Sequence, residues 1–347
     1  MQVDRYHRQA LLPQIGTAGQ DKLAQARVLL VGCGALGSVV VEQLVRGGVG
    51  FLRIVDRDVV ELTNLQRQVL FDESDVRDGT PKAIAAARRL SAINSEVRID
   101  ARVNDVVGDN VEQLIGDGGR VDLIIDGTDN VETRYLLNDA AVKLGVPWIY
   151  GACVGTEGRV LSVKPCTTAC LRCVFPQPPA PGELPTCDTA GVLAPVAAMV
   201  ASLEVIAAMK LLVHGQAGEL ICIDGWSNSF RATPTLDARR PDCLTCGQRR
   251  FEFLDARGAS GRAVTLCGRN AIQIRPAAAQ GRAVSLVDIA QKLEPLVAVQ
   301  RTAYLLRCAA PDDASLRLTV FADGRMTVEG TTDAARARSL YARYVGS

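Results

Sequence analysis

The sequence carries almost no net charge: 39 lysines and arginines against 38 aspartates and glutamates leave a formal +1. No global field would draw the chain to nucleic acid or to a membrane, so any anion it binds must be held by a local site. Histidine is scarce, and His7 and His214 show no spacing that would pair them. The opening segment, MQVDRYHRQALLPQIG, lacks a basic stretch followed by an apolar run, and no stretch is read as approaching the roughly 20 apolar residues that span a bilayer. The chain is expected to be cytoplasmic and globular, with neither nucleic acid nor membrane as a partner.

What is present is a chain of 347 residues, 48% of them apolar, enough for one large domain and a smaller one. It also has eleven cysteines. In a reducing compartment that number points to metal ligation or thiol chemistry before a disulfide framework.

Arg27 to Val31 is a short β-branched run that ends in Gly32-Cys33-Gly34-Ala35-Leu36-Gly37, and an apolar-periodic segment follows from Ser38 to Arg46. This order is strand, glycine turn, helix. A second strand, Phe51 to Val55, ends at Asp56, nineteen residues after Gly37, where the doubly wound nucleotide fold places an acid for a ribose hydroxyl. Val97 to Ala101, Leu123 to Asp126, Trp148 to Tyr150, Arg159 to Val163 and Leu220 to Asp224 read as further strands alternating with helical stretches. The fold class is therefore α/β, a Rossmann-like domain on a mostly parallel sheet.

Between Val174 and Ala190 prolines interrupt any regular pattern, which predicts a mobile loop. An apolar helix follows from Pro195 to Val213, with only Glu204 and Lys210 charged. The pattern changes after Gly247. Val264 to Leu266, Ile272 to Ile274, Thr302 to Arg307, Leu316 to Phe321 and Met326 to Glu329 read as strands, with a hairpin turn at Asp323-Gly324. With helices at Leu286 to Leu293 and Ala334 to Tyr344, residues 249–347 form a small α+β domain beside a first domain of residues 1–248.

The chemistry-bearing residues fall in the first domain. Glycines at 32, 34 and 37 let backbone N–H groups and a helix dipole approach a phosphate, but alone they fit a dehydrogenase equally well. Asp56, Arg57 and Asp58, with Arg67 and Lys82 downstream, put charge beside the crevice, where a nicotinamide would need a dry pocket. Attack of a carboxylate on the α-phosphorus of ATP instead needs cations around the triphosphate, which Arg67 and Lys82 can supply. Asp129 and Asn130 sit on the carboxyl edge after the Leu123 to Asp126 strand. There Asp129 fits either a Mg²⁺ ligand or the cap of the following helix.

Cys170 with Cys173, and Cys243 with Cys246, are two C-x-x-C pairs seventy residues apart. Four thiolates suit a closed structural Zn²⁺ site, the alternatives being free thiols or a redox dithiol, and Cys166 could replace one ligand. Cys187, in the proline-rich segment, fits an exposed nucleophilic thiol or an ordinary loop cysteine. Cys33, Cys153 and Cys222 read as small core residues.

Together these residues resemble the ThiF/MoeB/HesA adenylyltransferases, relatives of the ubiquitin-activating enzymes, across about residues 3 to 248. Arg5-Tyr6-x-Arg8-Gln9, the glycine turn, Asp56 with Asn64-Leu65-Gln66-Arg67-Gln68, Pro81-Lys82, Thr128-Asp129-Asn130, Thr186-Cys187-x-x-Ala190-Gly191 and both C-x-x-C pairs occur in the family's order. The resemblance implies ATP-dependent adenylation of the C-terminal Gly-Gly carboxylate of a ubiquitin-fold sulfur carrier. Asp56 would bind the ribose, Asn64, Arg67 and Lys82 the phosphates, and Asp129 the Mg²⁺. Arg8 resembles the family's arginine that reaches across a homodimer into the partner's site. Cys187 aligns with the cysteine that forms a persulfide or thioester link in some relatives, which brings in a persulfide donor such as a cysteine desulfurase. The competing function is a nucleotide-binding scaffold for a ubiquitin-fold partner without turnover. Some relatives append a rhodanese domain, but Cys267 and Cys308 lack its glycine-bracketed loop, so no sulfurtransferase activity is expected from the C-terminal domain.

Overall fold

Alternating β-branched runs and one-faced helices build two compact units, Met1–Val76 with Pro81–Ala256 and Arg77–Thr80 with Arg257–Ser347. The computed structural model describes residues 5–179, 183, 187–255, 263–265, 270–274 and 284–346. In chain order the first unit contains α1 (His7–Ala10), α2 (Gly16–Gln25), β1 (Arg27–Val31), α3 (Ala35–Arg46) and β2 (Phe51–Val55). A 3₁₀ turn at Leu62–Asn64, α4 (Glu73–Asp78, its last two residues counted with the second unit), α5 (Lys82–Ile93), β3 (Arg98–Arg102), α6 (Val111–Gly116), β4 (Leu123–Asp126) and α7 (Val131–Leu144) follow. The rest is β5 (Trp148–Val154), β6 (Glu157–Val163), α8 (Leu171–Val174), α9 (Cys187–Ala190), α10 (Ala194–His214), β7 (Glu219–Asp224), β8 (Ser229–Pro234) and α11 (Glu252–Asp255).

Their sheet has eight strands in the order β3-β2-β1-β4-β5-β6-β7-β8. From β3 to β5 every pairing is parallel, and from β5 to β8 every pairing is antiparallel. Strand order reverses between β1 and β4, and the crevice at the carboxyl ends of strands at such a reversal is where open α/β sheets bind ligands. The β1 residues alternate between the two faces as the pleat requires. Val28 and Leu30 pack with α3, α5 and α10, whereas Leu29 and Val31 pack with α6 and α7. The unit runs past residue 248 because Phe251 and Leu254 are buried in the second of these cores.

The helix expected over Pro195 to Val213 is α10, with Pro195 in its first turn and Gly215 closing it in the left-handed conformation. At 21 residues and a mean hydropathy of 2.1, α10 is long and apolar enough to cross a membrane by length and composition. This corrects the reading that no stretch nears that length. In the fold it packs against α2, α3, β5 and β6, with Glu204 fully buried.

In the second unit β9 (Ala263–Thr265), β10 (Ala271–Ile274), α12 (Leu286–Leu293), β11 (Val299–Arg301), β12 (Leu305–Ala310), β13 (Asp313–Phe321), β14 (Met326–Glu329) and α13 (Ala334–Tyr344) form an α+β arrangement. Its six-stranded sheet has the order β11-β12-β13-β14-β10-β9 and is antiparallel throughout. The strand expected over Thr302 to Arg307 is split. The Thr302 hydroxyl accepts from the N–H groups of Tyr304 and Leu305, which turns the chain between β11 and β12. Cys308 is buried, which pushes its thiol up to about 11. Cys267 lies outside the described residues, as do residues 180–182 and 184–186 of the proline-rich segment between Val174 and Ala190 in which a mobile loop was expected.

Candidate active site and metal centre

The turn after β1 is shaped by contact with the turn after β4. Gly32 has φ +86°, and a Cβ there would sit 2.8 Å from the Gly127 carbonyl. Gly37 touches the Gly32 carbonyl so closely that no side chain fits, which holds α3 against the strand. Around Gly34 there is room: an added Cβ would find Gln68 Nε2 at 3.9 Å and Gly127 O at 4.0 Å. Gly34 is also the N-cap of α3, so the open space faces the positive end of a helix dipole.

Asp56 braces this turn. Its Oδ2 accepts from the Cys33 N–H at 2.6 Å and its Oδ1 from the Asp58 N–H at 2.7 Å. Burial raises its pKa, against the pull of Lys82. Burial, and then the Asp56 charge, push the Cys33 thiol up, so Cys33 is an inert core group. Lys82 begins α5 directly after Pro81, and its ammonium is 3.1 Å from Asp58 Oδ2 with only 7% of its side chain exposed. Burial works against that ammonium, but Asp58 and Asp56 more than offset it and hold Lys82 above the ordinary lysine range. Arg57 pairs with Asp105 at 3.4 Å and with Asp58 at 3.6 Å.

Across the crevice, Asn130 is the N-cap of α7, its Oδ1 accepting from the Thr133 N–H at 2.9 Å. A cap of this kind contributes about 1 kcal/mol. It leaves the preceding residue, Asp129, exposed and without a hydrogen bond or ion pair among the described residues. Asp129 nevertheless acts on both Lys82 and Arg57 electrostatically. Asp56, Asp58, Lys82 and Asp129 are thus gathered on one edge of the sheet.

Other expected site residues sit differently. Asn64 is buried, and its Oδ1 accepts from the Glu61 N–H at 3.1 Å in a reciprocal capping box. Arg67 is half-buried and donates to Thr63 O at 2.8 Å, with no ion pair among the described residues. Arg8 is exposed on α1 and pairs with none of these groups. Cys187 opens the single turn of α9, and its side chain lies outside the described residues.

The four paired cysteines converge. Sγ separations are 3.9 Å for Cys170–Cys173, 3.6 Å for Cys170–Cys243 and 3.3 Å for Cys173–Cys246, and all four sulfurs lie within 4.8 Å of one another. With metal–sulfur bonds of about 2.3 Å, a tetrahedral site has sulfur–sulfur edges of about 3.8 Å, so the cluster fits a closed metal site. Cys166 is exposed and lies outside this group, which removes it as a substitute ligand. Cys173 Sγ accepts from the Cys170 S–H at 3.9 Å and from the Arg240 N–H at 3.5 Å, and hydrogen bonds from its neighbours lower its pKa.

The family model for ThiF matches residues 6–245 of this sequence. The chain belongs to the ThiF family. It is 41% identical to the sulfur carrier protein ThiS adenylyltransferase of Bacillus subtilis over 344 residues, which cover 99% of each chain, the second unit included. It is 42% identical to the sulfur carrier protein adenylyltransferase of Thermus thermophilus over 71% of this chain and 91% of that protein. Among solved structures, Escherichia coli MccB with ATP shares the fold with a TM-score of 0.60 at 25% identity, covering 70% of this chain and 74% of that one.

Around the ThiF-family site the fold adds groups that sequence reasoning passed over. Asn138 of α7 donates from Nδ2 to Cys170 Sγ at 3.9 Å and accepts from the Leu171 N–H at 2.9 Å. Its neighbour Asp139 accepts from Thr245 Oγ1 at 2.8 Å and from the Phe253 N–H at 3.0 Å, and burial pushes its pKa up to about 6. One helix therefore begins at the Asp129 turn and carries the supports of the cysteine cluster. The signal in the sequence was only an Asn-Asp pair inside a helix, which by itself reads as a solvated face.

Proposed function

We propose that this chain uses ATP to adenylate the C-terminal Gly-Gly carboxylate of a ubiquitin-fold sulfur carrier, in the cytoplasm and as a homodimer. The observation that carries the reading is the buried Lys82 ammonium paired with Asp58 beside the open glycine turn, with Asp129 in electrostatic reach, a charged crevice suited to a triphosphate. The carrier carboxylate oxygen attacks the α-phosphorus, the bond from that phosphorus to the bridging oxygen breaks, and pyrophosphate leaves. Lys82 and Arg67 hold the charge that builds on the phosphates, the N–H groups of the Gly34 turn and the α3 dipole hold the nucleotide, and Asp56 fixes the ribose side. Asp129, exposed and unpaired, suits a Mg²⁺ ion, which when bound neutralises phosphate charge. The four cysteines would hold a structural Zn²⁺. Carrier-dependent exchange of radiolabelled pyrophosphate into ATP tests the reading, and a protein that binds ATP without exchange would be the scaffold instead.

Arg8, exposed on α1, is assigned to the partner's site. Mixing Arg8→Ala chains with Asp129→Ala chains should then restore up to about a quarter of wild-type exchange through heterodimers with one intact site. A monomer with full activity in sedimentation-checked solution would rule this out.

Cys187 is assigned to the step after adenylation, with sulfur supplied by a persulfide donor such as a cysteine desulfurase. The carboxylate oxygen is already the nucleophile in the first step, so no thiol is needed there. Cys187→Ser should leave pyrophosphate exchange within about twofold of wild type and abolish any thiol-sensitive carrier adduct on a non-reducing gel. Loss of exchange in a folded variant would place the cysteine earlier.

A further inference from the structure

Midway along α10 a carboxyl stands where an apolar residue would pack. Glu204 is fully buried, and neither of its oxygens has a hydrogen-bond partner among the described residues. Burying a carboxyl without a compensating bond is unfavourable, and a leucine or methionine of similar volume would avoid that cost. Its surroundings show what it faces. A Cβ on Gly151 of β5 would overlap Glu204 Oε1, so the carboxyl rests on the backbone at that glycine. The Gly151 carbonyl accepts from Arg134 Nη2 at 3.3 Å, and the same nitrogen donates to Thr128 O at 2.7 Å. Arg134 Nε is 3.4 Å from Asp126 Oδ2, while Asp126 Oδ1 accepts from the Thr128 N–H at 2.9 Å and from its hydroxyl at 2.7 Å.

We propose that Glu204 is a positioning residue: from α10 it completes the buried Asp126–Arg134 group that braces the turn from Gly127 to Asn130, and so sets where Asp129 stands in the crevice. Arg134 pairs with Asp126, and Glu204 lies within electrostatic reach of both, so ionising both carboxyls would leave a buried charge uncompensated. Burial, reinforced by the Asp126 charge and only partly offset by Arg134, raises Glu204 well above the ordinary carboxyl range. A neutral carboxylic acid is a donor, and Asp126 Oδ2 is a buried acceptor with no hydrogen-bond partner among the described residues. Resting on Gly151, whose carbonyl accepts from Arg134, the Glu204 carboxyl holds that guanidinium against Asp126, which stays locked between Thr128 and Arg134. For its catalytic consequence the inference rests on the proposed role of Asp129; the brace itself does not.

The test uses the full-length chain with Glu204→Gln, which keeps volume and a donor, and with Glu204→Met and Glu204→Leu, which keep only volume. In ligand-free protein, amide hydrogen exchange across residues 127–131 should be at least about tenfold faster in the Met and Leu variants, with no fall in melting temperature, and near wild type in the Gln variant. The Mg²⁺ concentration for half-maximal pyrophosphate exchange should rise at least about threefold in the same two variants. Unchanged protection in a folded Met or Leu variant would overturn the proposal. So would a Gln variant as impaired as they are, with faster exchange throughout α10 and β5, since that is the signature of simple packing. Lost protection with an unchanged Mg²⁺ requirement would sustain the brace and overturn the role given to Asp129.

Discussion

Asp129→Ala should lower carrier-dependent pyrophosphate exchange at least about a hundredfold while leaving the melting temperature within about a degree of wild type, the scale expected for losing one preorganised charge-stabilising group. The two halves of this result come from the same observation. Asp129 is exposed and makes no hydrogen bond among the described residues, because Asn130 takes the capping of α7, so its removal breaks no contact described in the fold. Lys82 is the instructive contrast. It is the buried counter-charge for Asp56 and Asp58, and Lys82→Ala would strand two carboxylates beside the glycine turn, mixing lost catalysis with lost stability. A folded Asp129→Ala protein with near-normal exchange would show that the metal–triphosphate contact lies elsewhere.

The parts of this architecture that the sequence discloses are those written in local pattern. Leu123 to Asp126 and Leu286 to Leu293 have the expected bounds because each is a run whose apolar period stands out against its flanks. β8 was not foreseen, since Ser229 to Pro234 are all exposed and alternation carries no signal there. Site geometry was legible by residue type and not by partner. Whether Asp129 or Asn130 capped α7 was undecidable from composition, as either can; the backbone at Asn130 decides it. The phosphate role of Asn64 is implied by resemblance alone, while the capping box that holds its side chain is seen only in the fold. Asp126, Arg134 and Glu204 lie on three separate elements, so nothing local announces that Arg134 pairs with Asp126 or that Glu204 rests on the Gly151 backbone whose carbonyl Arg134 holds. Cys166 and Cys170 have a plausible ligand spacing, and only the fold shows that Cys166 is turned away.

Removing the metal should act on stability before chemistry. The purified chain is expected to hold one Zn²⁺, and Cys243→Ser or exhaustive chelation should lower its melting temperature by on the order of 10 °C, about 3–4 kcal/mol for a unit of this size. The magnitude follows from what the ion joins. Cys170 caps α8, Cys173 lies within it, and Cys243 and Cys246 lie near the end of the unit, so a metal closes a loop of roughly seventy residues whose freedom in the unfolded chain is otherwise large. Ligation also releases protons from crowded thiols, of which Cys173 is already lowered by hydrogen bonds from its neighbours. Asn138 and Asp139 tie the cluster to α7, so the loosened region should include the Thr245 and Phe253 backbone before it reaches the sheet. Well below the transition, the zinc-free protein should keep most of its pyrophosphate exchange per folded molecule, because four thiolates leave no open position for catalysis. A chain purified without bound metal that melts at the same temperature as the loaded one would make the four cysteines free thiols, and an exchange rate that falls in proportion to zinc at constant fold would make the ion part of the chemistry.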